Sequence, residues 1–495
     1  MTNIMMVGKQ NIENMHKTSE VPCMVCFLYF QRKKEDLLMK MKQLTAGLMA
    51  AAMALSMAAC GGSAATSSSA AADTATSTAD STTSEAASTS TAASGDALRV
   101  MIWDTNQQPG LQQIIDEFTA KTGIKVELEV KDWDSYWTLL EAGASGGDMP
   151  DVFWMHSNVS QMYMKNGMLL KLDDYIKGSN GVIDLNNYMP EVTNLYTYDG
   201  STYAIPKDYD TIALWYNKTM FDAAGIAYPD ETWTWDTLYD TAKKLTKADG
   251  SQYGYAINPS NDQDGYYNMV YSMGGKILSD DKKTSGYDDP NTLKAMDYVG
   301  KLVKDACPDP TTMSETGTEV LMESGTVAMI TQGSWMVNAF KANDYMTKNC
   351  GVAILPYDAT TGVRASLCNG LGWAASANTK RPDDCWQLLQ WFGSKEMQLK
   401  QAQLGVTMSA YLNTSDAWVS NTDVFDLKPY LDMTTASVGS AKNQLVLRPF
   451  TYKSTVWSTA ASKALVPAWA DPTQMESVCK AFATEMNNDI AAENS

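Results

Sequence analysis

The fold of this chain is decided by residues 98–130, LRVMIWDTNQQPGLQQIIDEFTAKTGIKVELEV. The short apolar run at residues 98–103 predicts a buried strand. A helix is predicted to start at Pro109, because the apolar residues between positions 111 and 118 recur at the spacing of one helix face. Gly123 is predicted to end this helix, and the alternating residues 125–130 predict a second strand.

The same alternation continues down the chain, with a helix predicted at residues 134–144, a strand at 151–155 and a helix at 159–166. Repeats of strand and helix at this spacing predict a parallel sheet with right-handed crossovers. Ligands of such sheets bind beyond the carboxyl ends of the strands. The second strand is followed by Asp132 and Trp133. Candidate ligand-binding residues at the ends of the first and third strands are Trp103, Asp104, Asn106, Trp154, His156, Ser157 and Asn158.

Composition excludes several kinds of chemistry. The net charge of −19 argues against a nucleic-acid-binding protein, which needs a basic face. The chain has 2 histidines, and only His156 lies in the predicted folded domain, so a histidine-rich zinc site is excluded. A Ser-His-Asp triad would depend on His156 alone. We therefore expect no metal and no cofactor.

Aromatic residues favour a carbohydrate ligand. The chain contains 14 Trp and 24 Tyr against 10 Phe. Trp and Tyr combine a flat apolar face with a hydrogen-bonding edge, which complements the C–H face and the hydroxyl rim of a sugar. A large core that contains many Trp side chains is the alternative explanation.

The N-terminal region carries an export signal at residues 39–60, MKMKQLTAGLMAAAMALSMAAC. Two lysines precede an apolar run, and small residues precede Cys60, as in secretory signals. The cysteine at this place resembles the bacterial lipoprotein lipobox, in which a diacylglyceryl group is attached to the thiol. We predict that translation starts at Met39 or Met41, so that residues 1–38 are not translated; a long basic region before the signal is the alternative.

Residues 61–95 consist almost entirely of Ser, Thr, Ala and Gly. Such a segment cannot bury enough apolar surface to offset its ordering entropy, so we predict a flexible tether. The folded part that follows is longer than one core usually serves, which predicts two lobes. Its five cysteines are an odd number, and we expect most of them to be free and buried.

Seven stretches in order resemble the bacterial extracellular solute-binding family, typified by the maltose- and multiple-sugar-binding receptors of ABC importers. They are FTAKTGIKVELE (118–129), GGDMPDVFW (146–154), YAIPKDYDTIALWYNKTMFDAAGI (203–226), PDETWTWDTL (229–238), ESGTVAMITQGSW (323–335), GVAILPYD (351–358) and LGWAASANTKRPDDCWQLLQWFGSKEMQ (371–398).

This resemblance implies an α/β, two-lobed periplasmic-binding-protein-like fold of type II. Hinge crossovers are expected at residues 203–217 and 352–357. Residues 97–206 and 358–403 would form lobe I, and residues 207–357 and 404–495 would form lobe II. Residues 1–59 would be the leader, and residues 60–96 the lipidated cysteine and its tether.

The resemblance also implies a function. The protein would be a monomer without enzymatic activity that binds a carbohydrate between its lobes. It would be tethered to the extracytoplasmic face of the cell membrane and would deliver the ligand to an ABC permease. Besides the strand-end residues named above, the implied site residues are Asp208 or Asp210, Trp335 and, more loosely, Tyr266 or Tyr267; Trp373 is a further candidate.

Several alternatives stay open at this stage. Trp154, Trp335 and Trp373 are candidates for the core as well as for the site, and His156 is a candidate for capping the next helix. A secreted glycoside-acting enzyme would need two carboxylates, which the sequence cannot exclude by spacing. A receptor for a cationic solute, such as a polyamine or betaine, would use an aromatic cage.

Overall fold

The computed structural model describes residues 97–259, 263–421 and 424–493. The predicted leader, Cys60 and the whole predicted tether lie outside the described residues. The strands are β1 (Ala97–Ile102), β2 (Lys125–Val130), β3 (Val152–Met155), β4 (Thr197–Tyr198), β5 (Ser201–Thr202), β6 (Ala204–Pro206), β7 (Ile212–Asn217), β8 (Met329–Gly333), β9 (Cys350–Ala353), β10 (Val363–Cys368), β11 (Gly372–Ala375), β12 (Ser437–Val438) and β13 (Ala441–Leu447).

The α-helices are α1 (Gln108–Thr122), α2 (Trp133–Gly146), α3 (Ser157–Lys165), α4 (Asp173–Gly178), α5 (Pro190–Leu195), α6 (Lys218–Ala224), α7 (Trp235–Leu245), α8 (Tyr267–Ser272), α9 (Pro290–Ala306), α10 (Pro310–Thr316), α11 (Thr318–Glu323), α12 (Val337–Ala342), α13 (Asp344–Asn349), α14 (Pro382–Gly393), α15 (Lys395–Gln403), α16 (Asp416–Val419), α17 (Lys428–Asp432), α18 (Ser454–Ala464), α19 (Val466–Ala470) and α20 (Met475–Glu493). Short 3₁₀ turns lie at Leu185–Asn187, Ser334–Met336 and Pro472–Gln474.

Local sequence signals determine the first elements as predicted. Gly123 ends α1 in the left-handed conformation, with φ of 78°, and its N–H donates to the carbonyl oxygen of Thr119. Glycine suits this position because it has no Cβ to clash there. The apolar face of α1 is buried through Leu111, Ile114, Ile115 and Phe118, as its spacing predicts.

The first lobe is built on a five-stranded sheet with the order β2-β1-β3-β11-β6. Strand β1 is parallel to both β2 and β3, which confirms the predicted parallel arrangement. Strand β11 runs antiparallel to β3 and β6. The carboxyl ends of β1, β2 and β3 therefore meet at one edge of this sheet.

The second lobe is built on an antiparallel sheet with the order β8-β7-β9. A further sheet, with the order β10-β13-β12, packs through β10 on α8. Helix α9 packs on α7, α8 and α20, and α18 packs on α20. These helices place the C-terminal part of the chain on the second lobe.

Three segments connect the two lobes side by side. Residues 207–211, here called the outward segment, lead from β6 to β7. Residues 369–371, the return segment, lead back to β11, and the N–H of Lys207 donates to the carbonyl oxygen of Leu371 at 2.8 Å. Residues 408–410 form the third segment, in which Ser409 pairs with Asp208.

The return crossover lies later in the chain than residues 352–357, where the sequence placed it. Strand β10 follows that stretch but pairs with β13 rather than entering the five-stranded sheet. The chain regains the first sheet only at β11. The lobe boundaries given above remain predictions.

Two further features concern the chain as a whole. The described cysteines Cys307, Cys350, Cys368, Cys385 and Cys479 are free and buried, as predicted. None of the helices in the three described ranges has the combined length and apolar composition needed to cross a bilayer.

Candidate functional site

The carboxyl ends of β1, β2 and β3 bring together an aromatic cluster. The centroid of the Trp103 ring lies 5.2 Å from that of Trp133, 5.8 Å from that of Trp137 and 4.9 Å from that of Trp154. Trp133 remains 44% exposed. The predicted convergence of the strand ends therefore creates an apolar surface that is open to a ligand. This aromatic cluster comprises Trp103, Trp133, Tyr136, Trp137 and Trp154.

A hydrogen-bonded chain connects the end of β1 with the outward segment. The carboxylate of Asp104 accepts from the backbone N–H of Asn106 at 2.8 Å and from Nε2 of Gln107 at 2.9 Å. Gln107 accepts in turn, through Oε1, from Nζ of Lys207 at 2.9 Å. The end of β1 is thereby connected to the crossover through the side chains of Asp104, Gln107 and Lys207.

Lys207 carries a charge with no exposed surface. Its Nζ donates to the carboxylate of Asp208 at 2.5 Å and lies 4.3 Å from the centroid of the Trp154 ring. Oδ1 of Asp208 accepts from the N–H of Leu371 at 2.8 Å. Both carboxylate oxygens of Asp208 therefore have a hydrogen-bond donor inside the hinge, Lys207 for one and Leu371 for the other. A buried charge is tolerated only with such partners.

Asp210 lies on the outward segment between donors from different parts of the fold. Its Oδ1 accepts from the N–H of Asn369 at 2.9 Å and from Nε2 of Gln263 at 2.5 Å. Burial, together with the negative charge of Asp208, raises the pKa of Asp210 to about 8. Asp210 is therefore protonated at neutral pH and does not place a negative charge in the site.

His156 caps the helix that follows β3. Its Nδ1 accepts from the backbone N–H of Asn158 at 3.1 Å, and its Nε2 lies 3.0 Å from the side-chain amide of Asn369. Burial, with the positive charge of Arg448, lowers the pKa of His156 to about 3. The ring is therefore neutral, and the structure favours the capping role for it.

Four polar side-chain atoms at this place are buried without a hydrogen-bond partner among the described residues. Ser334 lies beside the crossover, because its N–H donates to the carbonyl oxygen of Thr211 at 3.1 Å. A buried polar group without a partner costs free energy, which ligand hydroxyl groups would recover. The four atoms are Ser157 Oγ, Asn158 Oδ1, Ser334 Oγ and Asn369 Oδ1.

Other candidates from the sequence lie in the interior. Trp154 and Trp373 have no exposed surface, and Trp373 stacks on Phe392 with ring centroids 4.2 Å apart. Tyr266 and Tyr267 are 3% and 1% exposed. This burial favours the core role for all four in the arrangement seen here.

Trp335 is half-buried in the 3₁₀ turn after β8. The ring lies over Gly333, where a Cβ would come within 1.9 Å of it. Glycine is therefore required for this placement of the indole. A ligand-binding role for Trp335 remains a prediction, as it does for Asp104, Asn106, Ser157, Asn158, Asp208 and Asp210.

Sequence reasoning missed five residues of this region: Gln107, Trp137, Lys207, Gln263 and Asn369. Trp137 carried a signal, since it follows Trp133 by one helical turn on α2. The other four are polar residues, each with at least one partner that is distant in the chain. Nothing in the local sequence distinguishes them from surface residues.

Comparison with known proteins identifies relatives of the chain. The family model described as bacterial extracellular solute-binding protein matches residues 103–399. A putative binding protein of Brucella abortus is 26% identical over 322 residues, covering 63% of this chain and 76% of its own. The diacetylchitobiose-binding protein of Streptomyces coelicolor is 24% identical over 295 residues, covering 59% of this chain and 67% of its own.

Solved structures show the same fold. An ABC substrate-binding protein of Listeria monocytogenes, in complex with cycloalternan, superposes with a TM-score of 0.71 at 20% identity, covering 80% of this chain and 99% of its own. A solute-binding protein of Thermotoga lettingae, bound with α-D-tagatose, has a TM-score of 0.69 at 23% identity and covers 80% of this chain and 100% of its own. The predicted two-lobed periplasmic-binding-protein-like fold is confirmed.

Proposed function

Because the chain belongs to the bacterial extracellular solute-binding protein family, we propose that it is a membrane-tethered receptor for a carbohydrate. It binds an oligosaccharide between its two lobes and delivers it to an ABC permease. Members of this family are receptors rather than enzymes, so the alternative of a glycoside-acting enzyme is wrong.

The observation that carries the proposal is that partly exposed indole rings lie near buried polar atoms that lack a hydrogen-bond partner among the described residues. Trp103, Trp133 and Trp137 offer apolar faces at one sheet edge. Ser157 and Asn158 lie at the same edge, while Ser334 belongs to the second lobe, and each carries a buried polar atom without a partner among the described residues. Apolar faces beside hydroxyl partners are the surfaces that a sugar requires.

The electrostatics of the site support an uncharged ligand rather than a cationic one. Asp104 and Asp208 are engaged by Gln107 and Lys207, respectively. Asp210, with its pKa raised to about 8 mainly by burial, is neutral at physiological pH. Lys207 neutralises Asp208 and Asp210 is protonated, so that of these three carboxyl groups only Asp104 offers a negative charge to a cation beside the aromatic cluster.

Polar groups from both lobes explain how binding drives a conformational change. A ligand that touches both lobes has a higher affinity for the closed arrangement than for the open one. Such a difference in affinity is the only way in which binding shifts the equilibrium. The closed arrangement is then the form that the permease recognises.

The tether and lipid extend the proposal to the N-terminal region. Cys60 would carry the diacylglyceryl group, and two acyl chains anchor a protein stably where one anchors it marginally. Metabolic labelling with radioactive palmitate tests this step: we expect label in the wild-type chain and none in a Cys60→Ala variant. Equal labelling of both would contradict lipidation at Cys60.

The ligand class is tested by calorimetry with maltotriose, diacetylchitobiose, D-mannitol and spermidine as probes. We expect a carbohydrate to bind and spermidine not to bind. Trp133→Ala and Trp335→Ala should each weaken carbohydrate binding about fivefold or more, since each removes an aromatic face. Tyr228→Ala is the control, because this exposed tyrosine lies outside the cluster. Binding of spermidine alone would overturn the proposal.

A further inference from the structure

Asn369 lies at the centre of the return segment and is 1% exposed. Its backbone is fixed on both sides: its N–H donates to Asp210, and its carbonyl oxygen accepts from the N–H of Asp210 at 2.9 Å. One atom of its side-chain amide faces Nε2 of His156 at 3.0 Å. The other is buried without a hydrogen-bond partner among the described residues. The chemical identity of that second atom decides what the site offers to a ligand.

The protonation of His156 follows from a backbone contact. Nδ1 faces the N–H of Asn158, which can only donate, so Nδ1 must accept and carries no proton. The proton of the neutral imidazole is therefore on Nε2. The burial that lowers the pKa of His156 to about 3 is consistent with this neutral form.

An Nε2–H group is a donor, and the amide atom that faces it must be an acceptor. The nitrogen and oxygen of an asparagine amide have the same shape, and hydrogen bonding determines which is which. If Nδ2 faced His156, the NH₂ group and the Nε2–H group would be two donors facing each other, and no hydrogen bond could form. The amide oxygen therefore faces His156, and the NH₂ group occupies the position without a partner.

We infer that Asn369 is a ligand-binding residue whose NH₂ group donates a hydrogen bond to an acceptor oxygen of the ligand at the hinge. This inference rests on the proposed function and refines it. A hydroxyl, ring or carbonyl oxygen satisfies the group, whereas a protonated amine at the same place repels it. His156 acts through Asn369, as a positioning residue that fixes the direction of the amide.

The first test needs no ligand. In ¹⁵N-histidine-labelled protein, the nitrogen shifts and the long-range N–H couplings of His156 report which nitrogen carries the proton. The chain has 2 histidines, His16 in the predicted leader and His156 in the folded part, and a His156→Gln variant identifies the His156 signals by their loss. We expect the proton on Nε2 at pH 7. A proton on Nδ1 would reverse the amide and overturn the inference.

The second test follows the amide during binding. In protein labelled with both ¹⁵N-asparagine and ¹⁵N-tryptophan, the NH₂ signals of Asn369 and the indole signal of Trp103 are identified by their loss in Asn369→Ser and Trp103→Phe, respectively. On addition of maltotriose, diacetylchitobiose or D-mannitol, we expect these signals and the indole signal of Trp103 to shift together. A shift of Trp103 alone would overturn the inference and leave the proposed function standing. No shift with any probe would overturn the proposed function, while the direction of the amide still depends on His156.

Affinity gives a third readout. Asn369→Leu removes the donor, and we expect about tenfold weaker binding of the carbohydrate probe, in line with the loss of one hydrogen bond in a buried site. Asn186→Leu is the control, because Asn186 lies in the first lobe away from the crossover and is exposed. Equal affinity of the wild type and Asn369→Leu would contradict the inference.

Discussion

The ammonium group of Lys165 lies 3.9 Å from the centroid of the Tyr452 ring. Asn166, the next residue, donates from Nδ2 to the hydroxyl of Tyr452 at 3.1 Å. Lys165 ends α3, which follows the central strand of the first sheet, and Tyr452 lies two residues before the start of α18. The contact therefore joins the two lobes at a place separate from the three crossover segments.

This contact should stabilise the lobe arrangement seen here. An exposed cation–π contact is worth about 0.5–1 kcal/mol, so we expect Tyr452→Ala to weaken ligand binding about two- to fivefold. X-ray scattering of the ligand-free variant should show a larger radius of gyration. Tyr452→Phe, which keeps the ring for Lys165, is the matched control and should have a smaller effect. Unchanged scattering and affinity in Tyr452→Ala would contradict the prediction.

Removing the charge of Lys207 should destabilise the fold. Lys207→Met leaves the carboxylate of Asp208 buried without its cation, which typically costs about 3–5 kcal/mol. Urea denaturation measures this loss. Lys348→Met is the control, since Lys348 and Asp344 form an exposed pair one helical turn apart, and such pairs contribute less than about 1 kcal/mol. Similar losses in both variants would show that the buried network does not stabilise the hinge.

A methyl group at position 333 should displace Trp335 without breaking the fold. The Cβ of alanine would lie within 1.9 Å of the indole, so the ring must move. We expect Gly333→Ala to weaken carbohydrate binding about two- to tenfold, the range of one lost aromatic contact. Gly146→Ala is the control, because no atom lies within 4 Å of its added Cβ. If Gly333→Ala binds like the wild type, Trp335 lies outside the site.

Asp210 should make stability depend on pH. The unfolded chain loses this proton near the ordinary value of 3.8, whereas burial holds it in the folded chain until about pH 8. Unfolding therefore releases a proton between these values, and the stability contribution of Asp210 falls as pH rises through that window. The limit is about 1.4 kcal/mol per pH unit.

Asp210→Asn removes this dependence and keeps an acceptor oxygen for Asn369 and Gln263. We expect the free energy of unfolding of the variant, relative to that of the wild type, to increase from pH 5 to pH 7.5 in urea titrations. Asp297→Asn, at an exposed position, should show no such trend. A constant difference across this range would mean that Asp210 is already ionised at pH 5.

The first strands and helices were predictable because their signals are local. The spacing of the apolar residues along α1 specifies a helix, and Gly123 specifies where it ends; neither signal depends on distant parts of the chain. The return crossover was placed too early, because the resemblance located it at residues 352–357 and nothing in the local sequence of β10 shows which sheet that strand joins. Only its pairing with β13 reveals that it belongs to a different sheet.

The sequence alone determined that the first strands run parallel and at which edge of the sheet the aromatic residues gather. Both follow from the spacing of neighbouring residues, which is a local property of the sequence. Tertiary structure alone decided that Trp154 and Trp373 are enclosed while Trp133 stays open. It also decided that Lys207 meets Gln107 and that Asn369 meets His156. These partners lie 100 and 213 positions apart in the chain, and a hydrogen bond depends on distance in space, which local sequence does not encode.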